Sequence, residues 1–142
     1  MVRLFSMTSE PAELARLRQW LRPALAAEGL PREECAALLL AVGELCANAI
    51  RHSYEGRGGQ PIEVSLEASE EGIVLHVEDW GKPFDPAQYA PPDLDALPEG
   101  GVGLYLVQRI ADRLSWETER GRGTRWTLLK YRPGRAAPAA GT

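Results

Sequence analysis

Cysteine, histidine and net positive charge are all scarce in this sequence. Two cysteines and two histidines in 142 residues are too few and too scattered for a zinc site, which takes about four clustered ligands. Cys35 and Cys46 fall in one apolar helical stretch without a Cys-x-x-Cys spacing, so they read as two buried free thiols in a reducing compartment. The formal net charge is −4, which supplies no basic field for a phosphate backbone and argues against nucleic acid as a partner. No window approaches the ~18 apolar residues of a membrane span, and Met1-Val2-Arg3-Leu4-Phe5 opens no long apolar signal region. The reading is of a soluble, cytoplasmic protein without membrane association. What is present is ordinary for a globular chain: 44% hydrophobic and 25% charged residues, in a length of about one domain.

The pattern along the chain predicts nine segments. Arg3 to Met7 reads as a short edge strand. Thr8-Ser9-Glu10-Pro11 reads as a helix start, with a capping hydroxyl, a first-turn acid and an early proline. Leu14, Leu17, Leu21 and Leu25 carry that helix to about Ala27, and Gly29 ends it. Pro31 opens a second helix, with Glu33 and Glu34 near its positive end and a stripe of Leu38, Val42, Leu45 and Ala49, running to about His52. Ile62, Val64 and Leu66 alternate with Glu63, Ser65 and Glu67, as a strand with one wet face does, and Ile73 to Val77 returns the chain. Trp80 to Gly101 holds five prolines and little periodicity, so it reads as a long loop, a kind usually functional. A helix over Leu104–Leu114 and two strands over Ser115–Glu119 and Thr124–Tyr131 follow. The order implies an α+β two-layer sandwich, about three helices covering one face of a mixed, mostly antiparallel sheet. The domain spans 1–132, and the Pro-, Gly- and Ala-rich residues 133–142 read as a disordered tail.

Four stretches carry chemistry. Glu44 and Asn48 sit four apart on the second helix, so a carboxylate and a carboxamide leave the same side. Such a pair suits a magnesium ion and a reacting hydroxyl, since magnesium takes oxygen ligands and bridges nucleotide phosphates, while a carboxylate can take a proton. A plain hydrogen-bonded surface pair has the same spacing. Asp79-Trp80-Gly81-Lys82-Pro83-Phe84 follows a strand: an ionised Asp only accepts, as an adenine amine requires, and the glycine admits a flat ring. The same residues make a good β-turn. Gly100-Gly101-Val102-Gly103 precedes a helix, where free N–H groups and the helix dipole favour phosphate, although glycines there also serve as hinges. Gly121-Arg122-Gly123-Thr124 is hairpin-turn chemistry whose threonine could bond Asp79.

Taken in order, these stretches resemble the GHKL ATPase superfamily, which includes histidine-kinase catalytic domains and gyrase-type ATPases. Glu44-Leu-Cys-Ala-Asn48-Ala resembles its N box. Asp79-x-Gly81-x-Pro83-Phe84, Gly101-x-Gly103-Leu104 and Gly121-x-Gly123-Thr124 resemble its three glycine boxes. Within the superfamily the chain is most similar to the small RsbW-like anti-sigma-factor serine/threonine kinases, through the two leading helices, Asn48-Ala49-Ile50-Arg51-His52, and Asp79 to Pro86. The likeness runs from Leu4 to about Tyr131 and implies the superfamily's ATP-binding fold. It implies Glu44 as general base toward a protein serine or threonine hydroxyl and Asn48 as magnesium ligand. Asp79 would hold the adenine amine, with Gly81 beside the ring and Thr124 supporting through water. Gly100, Gly101, Val102, Gly103 and Leu104 would line the phosphates, with Lys82 at the start of a lid reaching to Gly100. ATP and Mg²⁺ are then the cofactors. The implied partners are a STAS-type anti-anti-sigma protein as phosphoacceptor, a sigma factor, and a second copy in a homodimer. His52 reads as structural. One departure stands out: between Phe84 and Gly103 there is no Lys or Arg, but Asp85, Asp93, Asp95 and Glu99. Phosphoryl transfer generally draws on cations around the γ-phosphate, so a nucleotide-binding partner switch without turnover is the alternative function.

Overall fold

The computed structural model describes residues 2–86, 102–119 and 122–134. Alternating apolar residues form β1 (Val2–Thr8), β2 (Pro61–Ala68), β3 (Gly72–Asp79), β4 (Arg113–Glu119) and β5 (Arg122–Tyr131). The apolar-striped segments form α1 (Glu13–Ala27), α2 (Arg32–Asn48) and α3 (Val102–Ile110). The last turn of the α2 stretch widens into a π-helical turn, Ala49–Ser53. The five strands make one sheet in the order β1-β2-β3-β5-β4. Every neighbouring pair is antiparallel, so the sheet is not mixed within the described strands. The crossover through α3 does return β4 parallel to β3, but β5 inserts between them and pairs with both.

Burial follows the period-2 pattern. Ile62, Val64 and Leu66 of β2 and Ile73, Leu75 and Val77 of β3 are at most 1% exposed, and face Leu17, Leu21 and Leu25 of α1 and Leu38, Val42 and Leu45 of α2 in one core. Each such side chain stabilises the fold by roughly 1.5–3 kcal/mol through burial. The other face of the sheet carries Glu63, Ser65, His76, Glu78, Arg125 and Thr127 in register, which leaves the helical layer on one side alone.

Two local expectations change. No hydroxyl caps α1, which starts at Glu13. The Ser9 hydroxyl instead donates to the Arg57 carbonyl (2.6 Å) and accepts from the Gln60 amide (2.9 Å), tying down a loop some fifty residues away. The third helix stops at Ile110, because the Asp112 amide donates to the Leu129 carbonyl (2.9 Å) and begins the β4 ladder. Leu114 therefore lies on a strand opposite Leu128. The long Pro-rich loop falls mostly at 87–101, outside the described residues, as does the tail from residue 135.

Candidate functional site

The site lies at one end of the sheet, where β3 finishes on its helix-covered face. Asp79 is the last residue of β3 and is paired across the sheet with Ile62 and Thr124. It is only 2% exposed. Its partners are neutral. The Ser53 hydroxyl donates to one carboxylate oxygen at 2.8 Å, and the Gly81 amide to the other at 3.0 Å. The Thr124 backbone, paired with Asp79 across the sheet, adds a further favourable influence on the carboxylate. Burial raises the Asp79 carboxyl above the usual carboxylate range, while these three influences pull against it. A carboxylate can accept about four hydrogen bonds, more than the Ser53 and Gly81 donors supply among the described residues.

Glycine is required around this carboxylate. A Cβ on Gly81 would collide with the Ser53 carbonyl oxygen and the Tyr54 ring. The Lys82 amide donates to that same Ser53 carbonyl at 2.7 Å. Gly123 has φ +64 and its Cβ would strike the Asp79 carbonyl, while its amide donates to the Gly81 carbonyl at 2.7 Å. Three distant stretches, 53–54, 79–82 and 123–124, are thus closed onto one another by backbone contacts that admit no side chain.

Glu44 and Asn48 stand one turn apart on α2, both half-buried. The Glu44 carboxylate lies against Gly103 at the start of α3, where an added Cβ would run into it. Val102 opens α3, and Leu104 packs against the core. Lys82 is exposed at the rim, and Arg109 lies over the ring of Tyr105 at 6.0 Å. Gly100 and Gly101 lie outside the described residues. His52 is exposed on the π-helical turn. Among the described residues no group of three or more His, Cys, Asp and Glu could hold a metal by itself, so a cation here would share Asn48 with its ligand's own oxygens.

The Thr124 hydroxyl has a partner besides the one the sequence suggested, and its own O–H stays free to donate. It accepts from the Phe84 amide at 2.9 Å, and the threonine reaches Asp79 through its backbone. Ser53 and Tyr54 are further site residues that the sequence reading left in a loop. The Tyr54 hydroxyl donates to the Pro61 carbonyl (2.6 Å) and accepts from the Trp80 amide (2.8 Å). Burial raises its pKa, with a smaller push from the Asp79 charge. The available signal was position: both follow directly on the Asn48–His52 run, and the π-helical turn, a feature frequent at functional sites, delivers Ser53 to Asp79.

An antiparallel sheet under three helices, with an acid–amide pair on α2 and an Asp-x-Gly corner after β3, is the arrangement of a GHKL-type ATPase domain. The chain belongs to the histidine kinase-like ATPase domain family, whose profile matches residues 7–130. It is 31% identical over 123 residues to the serine-protein kinase RsbW of Bacillus pumilus, covering 80% of this chain and 76% of that one. It is 31% identical over 106 residues to the anti-sigma F factor of Clostridium acetobutylicum, covering 69% and 71%. A crystal structure of the RsbU and RsbW domains of a Mycobacterium tuberculosis protein shares the fold, with a TM-score of 0.66 at 20% identity, over 97% of this chain and 35% of that one.

Proposed function

We propose that the protein is an ATP-dependent serine/threonine protein kinase that acts as an anti-sigma factor, phosphorylating a STAS-type anti-anti-sigma protein. The observation that carries the reading is Asp79: a buried carboxylate that accepts from two neutral donors, the Ser53 hydroxyl and the Gly81 amide, and would offer a further acceptor position to a ligand. An adenine amine fits that position, and the guanine carbonyl, itself an acceptor, does not. Relatives named serine-protein kinase RsbW and anti-sigma F factor support the kinase and sigma-factor roles.

The residues present fit a magnesium–nucleotide complex. Asn48 offers an amide oxygen at the end of α2, and the start of α3 lies one side chain away across Glu44. Magnesium, when bound, would neutralise charge on the phosphates. Asn48 would hold it by its carboxamide oxygen. Glu44 would accept the proton of an incoming serine or threonine hydroxyl. Asp79 and the glycines at 81 and 123 fix the base end, and the α3 N-terminus presents backbone N–H groups toward phosphate. The chain would work in the cytoplasm, as a homodimer, with a sigma factor and the STAS protein competing for it.

The test is labelled ATP with Mg²⁺ and a panel of STAS proteins, alongside calorimetry with ATP and GTP. The expected result is micromolar-range ATP binding, none for GTP, and transfer to a serine or threonine that Glu44→Ala stops while sparing binding. Binding without transfer to any candidate selects the second reading, a nucleotide-dependent partner switch. The run from Phe84 to Gly103 without Lys or Arg favours that alternative.

A further inference from the structure

An aromatic cluster sits beside the base end of the site, and none of the roles above uses it. The Phe84 ring meets Trp116 edge-on, with centroids 5.1 Å apart at 84°, and meets Trp126 at 4.9 Å and 61°. The two indoles, paired across β4 and β5, are themselves 5.7 Å apart. Trp126 is 2% exposed and Trp116 is 42% exposed. The same residue also bonds through its main chain, since its amide is the donor to the Thr124 hydroxyl at 2.9 Å. Phe84 is therefore held twice, by its ring and by its backbone, and both attachments end on the β4–β5 hairpin. Thr124 stands directly across from Asp79.

We propose that Phe84 is a positioning residue: it pins the Lys82–Pro86 segment to the β4–β5 hairpin and thereby fixes the Thr124 hydroxyl beside Asp79. The inference deepens the nucleotide-site reading and rests on it for its effect on ATP. An N–H donated to Oγ1 holds the threonine side chain in one rotamer while its O–H stays free to donate, and a side chain that a ligand must immobilise weakens binding. Phe84 removes that freedom in advance. Edge-on aromatic contacts are directional and add to simple burial, so the ring sets where the amide points. A residue that only filled the core would need no bond between its own amide and a threonine at the site. Phe84 differs in that its two attachments converge on the Asp79 partner.

Two measurements test this. The first is amide hydrogen exchange at residue 84 without nucleotide. Thr124→Val, which removes the acceptor at constant volume, and Trp116→Ala, which removes one wall of the clasp, should each speed exchange at residue 84 by about tenfold or more. The amides of Leu75 and Val77 should stay protected. An amide at 84 that keeps its protection in either variant overturns the proposal. The second is ATP titration. Phe84→Leu should weaken ATP about fivefold, Phe84→Tyr should restore affinity to within about twofold, and the Phe84→Leu/Thr124→Val pair should lose less than the product of the single losses. Losses that multiply, or a tyrosine no better than leucine, also overturn it. A wild-type protein that binds no adenine nucleotide rejects the kinase and switch readings together, and the exchange experiment still decides whether Phe84 is the pin.

Discussion

The two ends of the sheet are built on opposite principles. At the far end, the Arg132 guanidinium spends its donors on the Ser69 carbonyl (2.8 Å), the Glu28 carbonyl (2.5 Å) and the Glu28 carboxylate (3.0 Å). Beside it Lys130 bonds the Ile110 carbonyl and lies 3.7 Å from Asp112. Charge there meets opposite charge or carbonyl, and the arrangement ties α1, the β2–β3 turn and the end of β5 together. At the near end, Asp79 is buried among neutral donors, with no ion pair to it among the described residues. The far end is a clamp of charged groups; the near end holds its carboxylate with neutral ones. What separates them is the balance of partners, since both ends are rich in polar groups.

Substitutions should separate the two ends further. The largest effect belongs to Asn48→Ala, which should reduce Mg²⁺-dependent ATP affinity on the order of a hundredfold, as loss of a metal-holding group does; calorimetry checks it, and unchanged affinity removes Asn48 from the site. Next is Gly81→Ala, whose Cβ meets the Ser53 carbonyl. It should cost about 2–4 kcal/mol in denaturant unfolding. Gly43→Ala is its control: that Cβ meets nothing within 4 Å, and alanine in a helix should be neutral or better by about 0.5–1 kcal/mol. Arg132→Ala should cost about 1–3 kcal/mol through the half-buried pair with Glu28, and leave ATP affinity unchanged. A loss of ATP affinity there would dissolve the contrast between the ends.

The smallest stability effect should come from Asp79→Asn without nucleotide, about 1 kcal/mol or less at pH 7 and of stabilising sign. The sign follows from burial, which raises the carboxyl pKa in the folded state. The folded chain then holds its proton at a pH where the unfolded chain has released it. Stability therefore rises as pH falls through the raised pKa toward the ordinary carboxylate value, and the cost is largest above the raised pKa. Denaturant midpoints of parent and variant across pH 4–7 should converge at the acid end. A parent that steadily loses stability relative to the variant on acidification would show a carboxylate that helps the fold.

Most of the fold was legible because it depends on local periodicity. The Leu17-Leu21-Leu25 spacing and the Ile62-Val64-Leu66 alternation name their own elements. Leu114 shows the limit: its apolar spacing continues the helix, but the Asp112 amide finds a carbonyl on β5 and the ladder prevails. Ser9 shows another, since a hydroxyl before a helix is a cap only if no distant donor claims it first. In the candidate site, Asp79, Gly81, Glu44 and Asn48 are proposed from an ordered set of motifs, and the fold places Asp79 and Gly81 in one buried corner and Glu44 and Asn48 on one helix. Ser53, Tyr54 and the Phe84–Thr124 bond could not be, because their partners lie 7 to 40 residues away and only the folded chain brings them together.

Cys46 lies on α2 between Glu44 and Asn48, is 0% exposed, and burial, with a smaller push from Asp79, moves its thiol up to about 12. Cys35 is buried too. Thiolate, the form that alkylating reagents attack, is therefore nearly absent from the native state at neutral pH. The rate at which such a reagent labels Cys46 becomes a clock for how often the helix carrying the acid–amide pair comes away from the sheet. A ligand seated at that pair should slow the clock, without any cysteine having been engineered in.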